Sequence, residues 1–519
     1  MPSWSSSLLA VLSAVLLALA FPNFEFWFLA WFALVPFFWA IEREKESTAK
    51  SFLLGWLWGA VFFFGTCWWL AYAPTHYGGI PAPISYFLVF CATATVGIFP
   101  GIFAALFSVL LKRFGAWAIL SAPFLWTAIE FLRFWVTGNN WNAIAYSQAF
   151  QVNQIQLAEI GGIYLVSFLL VSSNAVLIYW LFKRNSISSI PVFIVFICIL
   201  GTILWFHDAI LWERNRFIGG EGFAYVVGVQ PNVPMSGLRY EEWQRLRQKH
   251  VELTEAALKK LNERRTNGNE QPTIVVFPES PMNFRYERDR EFQQFLREFT
   301  ARNNVSVLFN SAEPDRSGER YFNSAVMVNE RGEKTTQYDK IFLLPFGEYA
   351  PVPAPLQSLV PTMVGNFSFG TEYDLFDFGQ AKAGVMICFE SHFPNLSREY
   401  VLQGADVIVE MTNDGYLGNT PVLRQHLANA VFRAVETNRP VLRVTNVGVT
   451  AYINRRGEVL DAAEPYTEAT RVWTVSKSDG AQTFYVRYGD WFAWLCSIIS
   501  LALLALSFWR RSAKDEIKA

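Results

Sequence analysis

The residues of this sequence best suited to chemistry are one thiol, several carboxylates and a lysine, set at the ends of short apolar or strand-like runs. Cys388 closes the run in "GVMICFES", with Glu390 two positions on; Glu279 closes "VVFPES"; Lys340 opens "KIFLLPFGEYAP", which also carries Glu348. Polar residues just past strand ends are where α/β folds usually place chemistry. A free thiol ionises near pH ~8.5, and a neighbouring lysine lowers that value, making thiolate available at neutral pH. A carboxylate can take the proton and return it to a leaving group. A lysine can also stabilise the oxyanion that forms when sulfur attacks a carbonyl. Taken singly, a glutamate in Glu279's place usually caps or faces water, and a loop lysine such as Lys340 is usually solvated.

Two other arrangements compete for the thiol. Cys388, Glu390 and His392 alternate, so an extended chain would put all three on one face as a metal site. Pro394 and a missing fourth ligand argue against it, because zinc sites show a fuller Cys and His set, and neither metal nor cofactor is expected. A Cys–His dyad would use His392 or His426. His426 lies in a helical stretch, where capping or packing is the ordinary role of a histidine.

The elements that must position these groups fall into two classes. With 519 residues, 52% hydrophobic, 17% aromatic and 17% charged, the chain is too apolar for an ordinary soluble protein. Stretches near 4–20, 24–41, 51–73, 84–111, 116–136, 159–182, 188–207 and 491–509 are each apolar enough for a membrane span of about 20 residues. Lys and Arg collect in "EREKESTAK", "KRF", "KRN" and "RRSAKDEIKA", after the second, fourth, sixth and eighth stretches, and such loops are cytoplasmic. Both termini are therefore expected in the cytoplasm and the segment from about 210 to 487 outside it. The first span resembles a cleavable signal in "LALAFP", but no Lys or Arg precedes it as a signal would require. A formal net charge of -1 offers nothing to attract nucleic acid.

The predicted organisation is a membrane domain over 1–210 with seven helices, an exported α/β domain over 220–482, a last helix over 488–510 and a cytoplasmic tail over 511–519. In the exported part, "FAYVVGVQ", "TIVVFPES", "VSVLFNS", "NSAVMVN", "AGVMICFE" and "ADVIVEMTN" read as buried strands. Residues 240–263, 288–303 and 421–438 have helical spacing with charged outer faces. Of Cys67, Cys91, Cys198, Cys388 and Cys496, all but Cys388 fall in predicted spans, where cysteine behaves as a small hydrophobe. Cys388 thus has no disulfide partner within its domain, although an exported compartment favours one.

The motifs "FPES", "YDKIFLLPFGEYAP", "GVMICFES", "TNDGYLG" and "VLRVTNVGVTAYI" resemble the nitrilase superfamily. The layout of spans around such a domain resembles its membrane-embedded branch, the bacterial apolipoprotein N-acyltransferases. The resemblance implies an αββα sandwich and a Cys–Lys–Glu triad: Cys388 as nucleophile, Lys340 stabilising the oxyanion and Glu279 as general base and acid. It gives Glu348 and Glu390 supporting roles. Phe389 stands where the family commonly has tyrosine, and the family's tryptophan early in the domain is contested between Tyr240 and Trp243. The implied reaction passes an acyl chain from a membrane phospholipid through a thioester to the N-terminal amine of a diacylglyceryl-modified apolipoprotein, in a bacterial inner membrane.

A membrane-tethered amidase that hydrolyses a C–N bond could use the same three residues. A transporter is a further class, but its spans would carry ionisable groups, and here the spans are nearly bare, with Glu130 and Arg133 close to an end. Residues 350–370 hold four prolines and two glycines yet many apolar groups, among them Leu359, Met363 and Phe367. That composition predicts a mobile lid over the thiol, guiding acyl chains.

Overall fold

The computed structural model describes residues 1–22, 24–183, 223–235, 240–265, 271–279, 284–350 and 365–516, with the single positions 194, 197, 201 and 352. The chain divides into two compact units, Met1–Ile218 with Tyr488–Ala519, and Gly219–Arg487.

In the first unit, four helical stretches among the described residues are long and apolar enough to cross a membrane: Thr48–His76, Ala82–Thr137, Ala158–Lys183 and Trp491–Trp509. Ala82–Thr137 contains two of the expected spans, divided by a 3-10 turn at Gly115–Ser121 where Gly115 takes φ +62°. Trp4–Ala18 is a shorter apolar helix. The stretch near 24–41 is not one helix: a 3-10 turn over Trp27–Trp31 precedes a helix of 10 residues, Val35–Glu44. Composition alone does not report that break, because residues 27–41 are apolar throughout. The stretch near 188–207 lies outside the described residues apart from three positions.

Close helix approach in this unit depends on small residues. A Cβ on Gly55 would meet the Pro100 carbonyl oxygen at 2.2 Å, and one on Gly59 would meet Gly97 Cα at 2.7 Å, so Thr48–Cys67 and Ile98–Phe114 touch backbone to backbone. Trp58 stacks between Phe37 and Phe62, with ring centroids 5.3 and 5.0 Å away. Outward-facing Ile498, Leu501, Phe508 and Trp509 leave a broad apolar surface that suits lipid better than water.

The second unit is built on two six-stranded sheets. One has the order β12-β1-β2-β3-β4-β5, with β1 (Ala224–Gln230), β2 (Thr273–Val276), β3 (Ser306–Pro314), β4 (Tyr321–Val328), β5 (Lys334–Asp339) and β12 (Ala469–Val475). The other has the order β11-β10-β9-β8-β7-β6, with β6 (Leu375–Phe378), β7 (Ala381–Ile387), β8 (Val407–Thr412), β9 (Val441–Thr445), β10 (Ala451–Ile453) and β11 (Val459–Leu460). In each sheet the three central strands run parallel, which is why they read as continuous apolar runs and not as alternation.

The sheets face one another. Gly228 on β1 leaves room for Trp473 and for Val444 of β9, and Gln230 accepts a hydrogen bond from Thr445 at 3.1 Å. On its other face the first sheet buries Val227, Val275, Val307 and Val326 against helices Tyr240–Arg264 and Arg290–Asn303, completing half of an αββα sandwich. Helices Pro394–Leu402 and Val422–Thr437 pack on the second sheet. The last of these differs from its sequence pattern. Every residue of it except Arg424 is buried, so it has no charged outer face; Arg433 instead pairs with Glu436 inside the protein.

Candidate active site

Cys388 follows β7 directly, Lys340 follows β5 directly, and Glu279 stands three residues past β2, so strands of both sheets end at one site. The three side chains meet there. The Glu279 carboxylate and the Cys388 thiol act on one another, and Lys340 acts electrostatically on both. Lys340 is 1% exposed and lies 2.9 and 2.8 Å from the two oxygens of Glu348. Glu348 also accepts from the Leu344 amide at 2.7 Å, which folds the "LLPFGE" loop back over the lysine.

Charge in this cluster is set by burial against near neighbours. Burial favours the neutral form of Lys340, but Glu348 and Glu279 hold its pKa above the ordinary lysine value. It is a standing ammonium. Burial pushes the Glu279 carboxyl up; Lys340 and the Asn323 amide oppose this, while Glu348 adds to it. The Cys388 thiol is raised well above an ordinary cysteine, by burial first and then by Glu279, with Lys340 only partly opposing. The expectation that the lysine would make a ready thiolate is therefore corrected. The resting sulfur keeps its proton.

Glu390 is fully buried. Its Oε1 accepts from Tyr338 Oη at 2.7 Å and from the amides of Ile341 and Phe342 at 2.8 and 3.0 Å, and its Oε2 accepts from the Ile387 amide at 2.8 Å. It thereby ties the lysine loop to the end of β7. Burial outweighs these donors and pushes its pKa up to about 7.

Residues 388–392 form a 3-10 turn, not an extended chain, so the argument that alternation puts Cys388, Glu390 and His392 on one face fails. Among the described residues, no group of three or more His, Cys, Asp or Glu is arranged to hold a metal ion. Phe389 is buried, stacked on His392 at 5.6 Å and edge-on to Phe393 at 5.3 Å, so an apolar ring fits its place. Trp243 packs against Val233 and Leu246. The Tyr240 side chain and most of the predicted lid, 351 and 353–364, lie outside the described residues.

Several residues at the site were not singled out from the sequence. Asn323 on β4 donates to Glu279 and Glu348 and accepts from Asn310 Nδ2 at 2.7 Å. Thr412, at the end of β8, lowers the Cys388 thiol pKa against the burial that raises it, and its hydroxyl donates to Asp414 Oδ1 at 3.4 Å. Asn323 was visible as a polar residue opening the run "NSAVMVN", and Thr412 as one closing "VIVEMT".

Residues 13–176 match the family model for the apolipoprotein N-acyltransferase N-terminal domain, and residues 231–485 match the carbon-nitrogen hydrolase model. An apolipoprotein N-acyltransferase of Geobacter metallireducens is 31% identical over 514 residues, covering 98% of this chain and 96% of that one. The chain belongs to the apolipoprotein N-acyltransferase family. Apolipoprotein N-acyltransferases of Thermotoga maritima and Photobacterium profundum are 29% and 26% identical, and each alignment covers 96% of the relative. Both modules of the apolipoprotein N-acyltransferase family thus occur in the order the motifs implied, and the resemblance read from them extends along nearly the whole sequence.

Proposed function

We propose that this chain transfers an acyl chain from a membrane phospholipid, through a thioester on Cys388, to the N-terminal amine of diacylglyceryl-modified apolipoproteins. The observation that carries the reading is the meeting of Cys388, Glu279 and Lys340 in a chain whose relatives bear the acyltransferase name over nearly their full length. In the first half-reaction, Sγ attacks the ester carbonyl while Glu279 takes the thiol proton. Negative charge develops on the carbonyl oxygen, where the Lys340 ammonium opposes it. Collapse breaks the ester C–O bond, Glu279 returns the proton to the leaving lysophospholipid, and a thioester remains. In the second, the lipoprotein amine attacks the thioester, Glu279 accepts its proton, and the amide forms as Cys388 leaves and is reprotonated.

Glu348 and Glu390 act indirectly in this reading, the first by holding Lys340 and the second by fixing the turn below Cys388. Eight spans are read from the apolar stretches, and an exported catalytic domain with cytoplasmic termini from the Lys and Arg loops; both belong to the same proposal, as does a bacterial inner membrane. Both substrates are lipids, so a membrane-bound enzyme brings its thiol to where they are. The amidase alternative is disfavoured by relatives named for acyl transfer along the whole chain.

The test is intact mass after incubating the purified full chain with one defined phospholipid. A hydroxylamine-sensitive acyl adduct is expected on the wild type and not on Cys388→Ala. Addition of a diacylglyceryl-modified peptide should discharge it to an N-acyl peptide. An unmodified wild-type mass would remove the thioester route.

A further inference from the structure

Beneath the nucleophile lies a second buried cluster that the triad chemistry does not use. His426, on helix Val422–Thr437, places Nδ1 2.7 Å from Asp414 Oδ1 and Nε2 3.0 Å from the backbone carbonyl oxygen of Cys388. Nε2 is also 3.3 Å from Glu410 Oε1. Arg443 on β9 completes the ring of contacts, reaching Asp414 Oδ2 at 2.8 Å and pairing with Glu410. All four side chains are buried. Gly448 makes room for the cluster, since a Cβ there would lie 2.2 Å from Asp414 Oδ2.

We infer that His426 is a positioning residue for the nucleophile, pinning the Cys388 carbonyl so that the thiol-bearing residue is held in its unusual backbone conformation. Cys388 has φ +53°, in the left-handed region that a side chain disfavours. Such a conformation persists when surrounding contacts over-determine it. The contacts here come in sequence order: Glu390 accepts from the Ile387 amide, His426 holds the Cys388 carbonyl, and Arg433 donates to the Ser391 and His392 carbonyls at 3.1 and 3.2 Å. His426 and Arg433 sit on the same helix, so one rigid element grips the turn at two places.

The chemistry of the ring separates this role from that of a base. The Cys388 carbonyl oxygen only accepts, so the hydrogen bond to it requires Nε2 to donate, and a donating nitrogen has no lone pair for the thiol proton. Nδ1 is turned to Asp414. A planar trans peptide also sets its N–H antiparallel to its C=O, so holding the Cys388 oxygen fixes the direction of the Phe389 N–H.

This inference rests on the acyl-enzyme reading, and its test is arranged to separate the two. Full-length wild type, His426→Ala and His426→Gln are reconstituted in phospholipid vesicles of one composition, and single-turnover acylation is followed by intact mass. Rates are expressed per thiol titratable at Cys388. His426→Ala is expected to acylate at least about tenfold more slowly at saturating phospholipid, because small misplacements of reacting groups are costly. Its half-saturating phospholipid should stay within about twofold of wild type, and added imidazole should restore part of the rate. His426→Gln keeps an N–H for the carbonyl and should stay within about threefold of wild type. A merely structural histidine would lower the melting temperature or the number of titratable thiols, leaving the rate per thiol unchanged, and that result overturns the inference. A glutamine variant slowed tenfold or more also overturns it, and decides alone where the alanine variant does not fold. Absence of acylation in the wild type would instead defeat the acyl-enzyme reading.

Discussion

Asn323 donates from one amide nitrogen to Glu279 at 3.0 Å, and that nitrogen also reaches Glu348 at 2.6 Å. Two carboxylates, one beside the thiol and one holding the lysine, are thus spaced by a single neutral side chain. The bond favours the ionised form of Glu279 against the burial that raises its pKa. Replacing Asn323 with Leu removes that support at similar volume. The acid limb of the pH–rate profile for acyl-enzyme formation should move to higher pH, with the rate near pH 7 falling about tenfold, the worth of a hydrogen bond to a charged group. A limb that stays in place would mean Asn323 only spaces the carboxylates.

Lys340 offers a second prediction. Its ammonium is held on by Glu348 and Glu279, so it is charged at every pH the protein will meet. Lys340→Met keeps the stem and removes the charge. Acyl-enzyme formation should fall by roughly 10²- to 10³-fold, as when an oxyanion donor is lost. Acylation at the wild-type rate would take the oxyanion role away from Lys340.

The thiol and its base make opposing predictions. Because burial and then Glu279 raise the Cys388 pKa, iodoacetamide should label Cys388 only at higher pH than an ordinary cysteine. Glu279→Gln removes the repelling charge and leaves Lys340 beside the sulfur, so its labelling profile should shift to lower pH. That variant should label more readily and yet fail to acylate, having lost its base. Peptide mapping by mass identifies Cys388 among the labelled thiols, and an unshifted profile in the variant would contradict the assigned coupling.

Glu390 links the site to stability. Its folded pKa of about 7 stands above the ordinary glutamate value of 4.5, so the folded state binds this proton more tightly than the unfolded chain does. Its contribution is therefore fully present below about pH 4.5 and is lost as pH rises through about 7, a change on the order of 3 kcal/mol. Glu390→Gln cannot titrate, and it turns an amide N–H toward a backbone donor. It should be less stable throughout, by about 1–3 kcal/mol, but its melting temperature should lack this particular decline between pH 4.5 and 7. If both proteins show the same pH slope, the four donors around Glu390 keep it ionised in the fold.

Much of this protein is written locally. Apolar runs such as "TIVVF" and "GVMIC" become buried strands because parallel strands covered on both faces need unbroken hydrophobicity. Cys388, Lys340 and Glu279 were legible as chemistry because each sits at or just past a strand end, a short-range feature of the chain. Helix Val422–Thr437 shows the limit: a charged face spaced like a solvated one turns inward, since spacing records which residues share a face and not what covers it. Whether a lysine beside a thiol yields thiolate was likewise undecided by proximity, because desolvation and the nearby Glu279 carboxylate enter only once both sheets close on the site. Asn323 bridging Glu279 to Glu348, and His426 reaching the Cys388 carbonyl from 38 residues away, depend on the same closure. Sequence determines which groups are available; their protonation and partners are set by the low-dielectric interior that tertiary packing creates around them.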